Sequence, residues 1–355
     1  MTQELDQARE KFAGKMLGIL NDAALAYMVS IGHRTSLFDV MANLPPSTSE
    51  QIAAAANLNE RYVREWLGAM VTGRIVDFDP VNGTYHLSPE HAAFLTRAVR
   101  SDNLAMFAQY FALMGQVEDR IVECFYRGGG VPYSAYPKFQ QLMAEESNQT
   151  VVAALVDSML PLVPGLIEKL RTGTEALDVG CGRGHAVNVM AAEFPDSRFT
   201  GYDFSEEGVT AGRAEAQQMG LANVCFEVKD VATLDEPERY GLITAFDAIH
   251  DQAHPTKVLR GIADALRPGG TFLMQDIRAS SHVEKNLDNP LASFLYTASV
   301  MHCMTVSLAL NGEGLGTMWG EEKARQMLTE AGFSCLEVRQ LPHDIQNSYY
   351  IATKS

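Results

Sequence analysis

Residues 176–187, ALDVGCGRGHAV, run from an apolar stretch through closely spaced glycines into a segment with helical spacing. The pattern predicts a strand over 176–179, a turn, and a helix over 186–193. Similar stretches then alternate along the chain, with strands predicted at 198–203, 224–228, 240–249 and 270–277 and helices at 206–219 and 255–266. This alternation is typical of a doubly wound parallel sheet, an α/β fold whose ligands bind at the carboxyl ends of the strands.

The glycines form the pattern D-x-G-x-G-x-G through Asp178, Gly180, Gly182 and Gly184. A dinucleotide-binding loop requires G-x-G-x-x-G, which lets a pyrophosphate sit on a helix N-terminus, and position 185 is histidine instead. The pattern therefore favours a nucleotide without phosphates. S-adenosylmethionine meets this condition because it has no phosphates. Its methionine and ribose pass over such a loop, and we expect these four residues to bind it.

Acidic residues follow the next two predicted strands. Asp203 lies 19 residues after Gly184, where a carboxylate can accept hydrogen bonds from both ribose hydroxyls. Asp230 follows the third strand and is placed to accept from the adenine amino group, with Val231 beside it. Each carboxylate alone could equally be a solvated loop residue, but carboxylates at successive strand ends favour a binding site. We expect Asp203, Asp230 and Val231 to bind the cofactor.

The C-terminal half resembles the class I S-adenosylmethionine-dependent methyltransferases. The stretches that carry the resemblance are LDVGCGRG, GYDFS, VKD, LRPGG and EEKARQMLTEAGF. The resemblance covers residues 174–355. It implies a mostly parallel seven-stranded methyltransferase sheet, in which two final strands near 333–338 and 348–353 pair antiparallel.

The N-terminal part has the pattern of a winged helix: helix, turn, helix and a hairpin around Asn82-Gly83, a preferred tight-turn pair. Its second helix is predicted to bury one apolar stripe, formed by Tyr62, Val63, Trp66, Leu67, Met70 and Val71. Residues 37–96 carry seven acidic residues and three arginines, the wrong sign for a DNA-binding face. The segment resembles the N-terminal domain of two-domain small-molecule O-methyltransferases of the plant and antibiotic-tailoring type. Partner chains interlock in that family, which implies a homodimer.

Three parts are therefore expected along the chain. They are a mainly helical winged-helix dimerisation domain at 1–100, a helical pocket-covering segment at 101–173, and the cofactor-binding domain at 174–355 with a cap insertion at 278–318. Such insertions usually cover an active site and select the substrate. The residues expected over or along the pocket are Tyr133, Tyr136, His302 and Cys303. Most apolar residues of both segments could equally belong to a core or a dimer interface.

His250 and Asp251, in the stretch FDAIHDQAHP, follow the fourth predicted strand. The O-methyltransferases that the chain resembles carry His-Asp there, so the resemblance implies His250 as the general base. An imidazole titrates ordinarily near ~6.5, which suits a phenol or carboxylic acid acceptor. Asp276, at the end of the fifth strand, matches the family acid that orients the histidine. Asp247 is expected near the methionine end of the cofactor or the acceptor, while His250 could alternatively only pack or cap a loop.

Two departures from that family leave the acceptor open. The tryptophan that commonly follows His-Asp is Gln252 here, and Glu313 is only a candidate for a second orienting acid. S-methylation of a small thiol is the alternative within the class, because an acceptor pKa near ~8.5 relaxes the need for a strong base. The alternative outside it is a non-catalytic transcription regulator that senses S-adenosylmethionine, against which the acidic winged helix argues.

Composition narrows the function further. The 355 residues carry a formal net charge of −16, which disfavours nucleic acid and anionic membranes as partners. Five cysteines are scattered without a CxxC pair, so neither a disulfide framework nor a metal site is expected. The most apolar early stretch, 16–31, is too short to span a bilayer, and the N-terminus lacks the pattern of a signal peptide. The expected location is the cytoplasm.

Overall fold

The computed structural model describes residues 2–342 and 344–354, without the side chains of Thr2, Arg100, Ser101 and Asp102. The chain divides into two compact units, Met1–Leu113 and Met114–Ser355. The domain boundaries near residues 100 and 173 that the sequence predicts remain predictions.

The first unit is mainly helical. Its elements are α1 (Thr2–Arg34), α2 (Leu37–Met41), α3 (Ser49–Ala56), α4 (Glu60–Thr72), β1 (Asp77–Asp79), β2 (Thr84–His86), α5 (Pro89–Leu95) and α6 (Gln109–Met114), which ends one residue beyond the unit. A capping box starts α3, since Thr48 and Gln51 exchange side-chain to backbone hydrogen bonds. Gly83 has φ +66° in the tight turn between the antiparallel strands β1 and β2. The predicted winged-helix arrangement is confirmed.

Helix α4 buries a narrower stripe than the sequence predicts. Val63, Trp66, Leu67 and Met70 are buried, and the Trp66 indole also donates to the Met28 carbonyl at 2.8 Å. The prediction was wrong for Tyr62, which is 80% exposed. With about 100° between successive helical residues, Tyr62 lies at the edge of the stripe, about 90° from its centre, where its side chain reaches solvent.

The second unit is built around one large sheet. Its strands are β3 (Glu175–Val179), β4 (Arg198–Asp203), β5 (Val224–Val228), β6 (Tyr240–Phe246), β7 (Leu266–Ile277), β8 (Cys335–Arg339) and β9 (Asn347–Thr353). Its helices are α7 (Glu118–Arg127), α8 (Phe139–Ser147), α9 (Leu166–Thr172), α10 (His185–Glu193), α11 (Glu206–Gln218), α12 (Pro255–Ala265), α13 (Ala292–Ala298), α14 (Met304–Ala309) and α15 (Gly320–Ala331). Within the described residues the seven strands lie in the order β5-β4-β3-β6-β7-β9-β8, and β9 alone runs in the direction opposite to the other six. The predicted seven-stranded, mostly parallel sheet is confirmed.

The strand order reverses beside β3, since β4 lies on one side of it and β6 on the other. In doubly wound sheets this reversal opens a crevice at the carboxyl ends of the strands. Strand β6 ends at Phe246, three residues earlier than predicted, because Asp247 has φ +50°, far from an extended conformation. The chain therefore leaves the sheet at Asp247, ahead of His250 and Asp251.

One helical segment of the described chain has the length and composition of a membrane span. Ala292–Ala309 joins α13 and α14 through a π-helical turn at Ser299–Cys303, has a mean hydropathy of 1.2, and is 33% buried. Core helices of soluble proteins meet the same criterion, so the segment alone is weak support for a membrane span.

Candidate active site

A cavity lies at the carboxyl ends of β3 to β6. Its volume is about 660 Å³ when the solvent-filled space at its opening is included. The predicted site residues that line it are Gly180, Gly182, Asp203, Asp230, Val231 and Asp247. It is also lined by Asp251 and, from the segment before the sheet, by Tyr133 and Phe139. The structure therefore gathers residues from four strand ends around one space.

The three glycines of the loop have φ values between +54° and +74°, a region that favours glycine. A Cβ added to Gly182 would meet only Gln140 Oε1, 3.9 Å away, and both residues line the cavity, so a side chain there would fill it. A Cβ on Gly184 would instead lie 2.4 Å from the Phe226 ring. Gly182 thus keeps the cavity open, whereas Gly184 allows the helix after it to pack closely.

Asp203 is held by the backbone of the glycine loop and of its own turn. Its Oδ2 accepts from the Gly182 amide and its Oδ1 from the Ser205 amide, both at 2.8 Å. Burial raises the pKa of Asp203, while the two amides act in the opposite direction. Asp230, at the more exposed rim, accepts from the Ala232 amide at 2.9 Å. Both carboxylates are oriented before any ligand binds.

Asp178, which the sequence predicts to bind the cofactor, is buried beneath the glycine loop. Its Oδ1 accepts from the Thr244 hydroxyl of the adjacent strand at 2.6 Å, and burial raises its pKa to about 7. Neither Asp178 nor Gly184 lines the cavity. Both shape the loop, and direct contact with a ligand stays a prediction for them.

His250 and Asp276 form a buried pair that does not itself line the cavity, although Asp247 and Asp251 on either side of His250 do. His250 Nδ1 lies 2.8 Å from Asp276 Oδ1, and the side chains are 4% and 0% exposed. Burial alone would lower the pKa of His250, but the Asp276 carboxylate and the Cys303 thiol together outweigh it, and the pKa is raised well above its ordinary value. The carboxylate fixes the Nδ1 side of the imidazole and leaves Nε2 for another partner.

Trp319 is a site residue that sequence reasoning missed. Its indole Nε1 donates to Asp276 Oδ1 at 3.0 Å, and the Ile277 amide donates to the same oxygen at 2.8 Å. A buried tryptophan usually has a partner for its N–H, which is the only signal the sequence offers. Glu313, the candidate second orienting acid, instead accepts from the Thr256 hydroxyl at 2.8 Å and is not paired with His250.

The predicted pocket-covering residues gather beside the pair. Tyr133 lines the cavity and donates to Asp251 Oδ2, while Tyr136 donates to the Met301 carbonyl at 2.6 Å. His302 stacks on the Phe139 ring at 4.0 Å between centroids, and burial lowers its pKa to about 3. The Cys303 thiol interacts with both the His250 and His302 imidazoles.

Several buried polar atoms near the pair lack a partner within the described part of the chain. Asp247 Oδ2 accepts from Gln275 Nε2 at 2.9 Å, but Asp247 Oδ1 and Asp276 Oδ2 have no hydrogen-bond partner there. Burial and the nearby Asp276 raise the pKa of Asp247 well above its ordinary value. Ligand atoms of Asp247, His250 and Asp276 lie within 4.8 Å of one another, a spacing that could hold a cation. The expectation of no metal therefore stays a prediction.

Comparisons with known proteins agree with this architecture. Residues 23–97 match a family model described as an Rv2258c-like winged HTH domain, and residues 170–332 match a methyltransferase domain. The chain is 31% identical over 124 residues to the 27-O-demethylrifamycin SV methyltransferase of Amycolatopsis mediterranei, covering 34% of this chain and 43% of that protein. It is 29% identical over 106 residues to the fatty-acid O-methyltransferase of Mycolicibacterium smegmatis, covering 30% and 38%. The matched segment thus spans less than half the length of these curated relatives.

Solved structures match over nearly the whole chain. The mitomycin 7-O-methyltransferase superposes with a TM-score of 0.70 at 16% identity, covering 98% of this chain and 99% of that one. Human N-acetylserotonin methyltransferase in complex with S-adenosylmethionine superposes with a TM-score of 0.68 at 16% identity, covering 97% and 98%. At these identities the likeness shows the fold.

Proposed function

Because the chain joins a winged-helix domain to a class I methyltransferase domain, we propose that it transfers a methyl group from S-adenosylmethionine to an oxygen of a small molecule. The observation that carries the proposal is the buried His250–Asp276 pair beside a cavity lined by the glycine loop and the strand ends. The curated relatives that match include O-methyltransferases, which supports oxygen over sulfur as the acceptor atom.

The residues of the cavity fit the cofactor. Asp203 would hold the ribose hydroxyls, Asp230 and Val231 the adenine, and the open face of Gly182 would let the cofactor lie against the backbone. When bound, S-adenosylmethionine supplies a methyl group already activated by its sulfonium, so that no covalent enzyme intermediate is needed. The remaining work of the protein is to orient the acceptor and remove its proton.

His250 would take that proton at Nε2, since Asp276 occupies the Nδ1 side. Asp276 stabilises the imidazolium that forms, which is why it raises the pKa of His250. A raised pKa means that His250 carries a proton up to a higher pH than a free imidazole. Base catalysis should therefore increase as the pH rises through that pKa.

A second copy of the chain is the proposed partner of the first unit. Helix α1 exposes a series of large apolar side chains, namely Leu5, Phe12, Met16, Leu17, Ile19 and Leu20. Contiguous exposed apolar surface favours a protein interface, and the family that the N-terminal part resembles forms interlocked dimers. The proposal includes a cytoplasmic homodimer, which light scattering during gel filtration would test.

DNA binding by the winged helix receives little support from the charges on α4. Arg61 pairs with Glu65 at 2.5 Å, and Arg64 pairs with Glu60 at 3.3 Å. The two glutamates balance the two arginines, so α4 has no net positive charge, whereas phosphate binding needs an excess of cations. A gel-shift assay on genomic fragments should show no retardation, and specific retardation would favour the regulator.

The direct test is methyl transfer from labelled S-adenosylmethionine to panels of phenols, carboxylic acids and small thiols. His250→Ala should reduce transfer to the preferred oxygen acceptor by about 10²- to 10⁴-fold. His254→Ala is the matched control, because His254 lies four residues on and its side chain makes no cap hydrogen bond. Equal rates for wild type and His250→Ala would show that His250 is not the general base. Methyl transfer to thiols alone would show that the acceptor atom is sulfur and not oxygen.

A further inference from the structure

His302 and Cys303 lie beside His250, in the π-helical turn Ser299–Cys303 between α13 and α14. His302 is buried and Cys303 partly so, and neither lines the cavity. Methyl transfer with His250 as the base leaves both side chains without a role. π-Helical turns within α-helices are frequent at functional sites, so the contacts of these two residues are of interest.

The two side chains extend the His250–Asp276 pair into a series of four polar groups. Asp276 Oδ1 lies 2.8 Å from His250 Nδ1. The Cys303 thiol hydrogen-bonds with His250, and its sulfur lies 3.6 Å from His302 Nδ1. Because Asp276 occupies Nδ1 of His250, the nitrogen left for the thiol is Nε2. Cys303 therefore bridges the two imidazoles.

The series ends at an atom without a partner. Nε2 of His302 is buried and has no hydrogen-bond partner in the described part of the chain, whereas buried polar atoms normally have one. The imidazole stacks on Phe139 at 4.0 Å and meets Tyr133 and Tyr136 edge-on at 5.3 and 4.7 Å, all between centroids. Tyr133 and Phe139 also line the cavity. His302 thus lies directly against residues of the cavity wall.

Hydrogen-bond donors and acceptors can follow one another along this series. A thiol carries one S–H and a neutral imidazole one N–H. Burial keeps both groups uncharged, because it raises the pKa of Cys303 and lowers that of His302 to about 3. When the thiol donates to His250, its sulfur can accept from Nδ1–H of His302. Nε2 of His302 then carries a lone pair that can accept a hydroxyl proton.

We infer that the acceptor gives its hydroxyl proton to Nε2 of His302, and that Cys303 relays a proton from His302 to His250. The inference rests on the proposed function and adds two residues to it. As the O–H bond breaks, Nε2 of His302 gains that proton and Nδ1 of His302 gives its own to the sulfur. The thiol gives its proton to Nε2 of His250. The freed oxygen pair forms the O–CH₃ bond, and the electron pair of the broken S–CH₃ bond stays on the cofactor sulfur.

The relay changes the charge of one protein group only. His302 and Cys303 each gain one proton and lose one, so both end uncharged. His250 ends as the imidazolium, which Asp276 stabilises across the 2.8 Å contact. In this arrangement His302 touches the acceptor, whereas Cys303 is a positioning residue that acts through the two histidines.

Single-turnover methyl transfer by the full chain, to the best phenol or carboxylic acid of the panel, tests the inference. Cys303→Ala removes the relay and should lower the rate constant by about 10²-fold, the lower end of what general base catalysis supplies. Cys303→Ser keeps a group that donates and accepts, so its rate constant should stay within about fivefold of wild type. Cys225→Ala is the matched control, because that thiol is exposed on β5 and its loss should leave the rate constant unchanged.

His302→Phe keeps a planar ring against Phe139 but removes the nitrogens. Its rate constant should fall about as far as that of Cys303→Ala, and the double variant should be no slower than either single one, because residues that act as a unit are not additive. The Kd of S-adenosylmethionine should stay at the wild-type value in all these variants. Should His302→Phe fail to fold by circular dichroism, the two Cys303 variants carry the test.

The same reaction in mixtures of H₂O and D₂O gives a readout that a purely structural role of Cys303 would not change. Several protons move together in the relay, so the wild-type rate constant should fall along a curve as the D₂O fraction rises. In Cys303→Ala the dependence should become linear, because one proton moves.

The outcomes separate the inference from the proposed function. Equal rate constants for wild type and Cys303→Ala, equal losses in Cys303→Ala and Cys303→Ser, or a linear D₂O dependence of the wild type would each overturn the relay. A large loss in His250→Ala would then leave the proposed function standing. No methyl transfer by the wild type to any acceptor of the panel would remove the proposed function, and the relay with it.

Discussion

At one end of the cavity, here called the loop end, Asp203 has both oxygens held by the amides of Gly182 and Ser205. At the other, the base end, one oxygen of the cavity-lining Asp247 and one of the more deeply buried Asp276 have no hydrogen-bond partner among the described residues. The loop end satisfies its polar groups from nearby backbone, whereas the base end retains charge that its surroundings do not balance. The loop end therefore has a fixed geometry, whereas the base end has groups that can interact with a ligand and with a proton.

The largest expected effect comes from removing the acid of the base end. Asp276→Ala leaves the buried His250 imidazole, the Trp319 indole and the Ile277 amide without their shared acceptor. The free energy of unfolding should fall by about 3–5 kcal/mol, the range for one partner lost from a buried pair. Urea denaturation measures it, with the exposed Asp264→Ala as control, expected within about 0.5 kcal/mol of wild type. A loss below about 1 kcal/mol would mean that the pair does not stabilise the fold.

The next largest loss of stability is expected from a glycine substitution at the loop end. Gly184→Ala combines φ +74° with a Cβ placed 2.4 Å from Phe226, whereas Gly220→Ala has a similar φ of +68° and no atom within 4 Å. The first should destabilise by about 2–4 kcal/mol and the second by about 1–2 kcal/mol, the cost of the left-handed conformation alone. Thermal unfolding of both variants separates packing from strain, and equal losses would show that close packing at Gly184 contributes nothing.

The base end should also set the pH dependence of the reaction. Because Asp276 raises the pKa of His250, kcat/KM of the wild type should rise through an apparent pKa above ~6.5. In Asp276→Asn the imidazole loses that support, so the rising limb should move to lower pH by about one unit or more, while the maximal rate falls. An unchanged pH profile in the variant would show that the observed pKa belongs to a group other than His250.

The smallest effect is expected from a substitution at Lys229's partner, Glu236. Glu236→Gln leaves the Lys229 ammonium without its partner carboxylate, which adds positive charge at the cavity wall. S-adenosylmethionine should bind about two- to fivefold more weakly, as for a partly exposed ion pair, and S-adenosylhomocysteine should be unaffected. Calorimetry of the two ligands gives the ratio, and a parallel change in both would indicate a structural effect of the substitution.

The sequence predicted the loop end more completely than the base end. The strand, glycine turn and helix around residues 176–193 follow from local spacing, and Asp203 follows from its distance to the loop. The Tyr133–Asp251 and Trp319–Asp276 contacts join residues 118 and 43 positions apart, which local patterns do not report. The early end of β6 escaped prediction because a non-glycine residue, Asp247, adopts a positive φ.

The measurement that tests the central claim most directly is calorimetric titration of wild type and Asp203→Ala with S-adenosylmethionine. We expect a Kd in the micromolar range for the wild type and much weaker binding for the variant, because the ribose hydroxyls lose their acceptor. Absence of binding to the folded wild type would show that the glycine loop binds a different ligand.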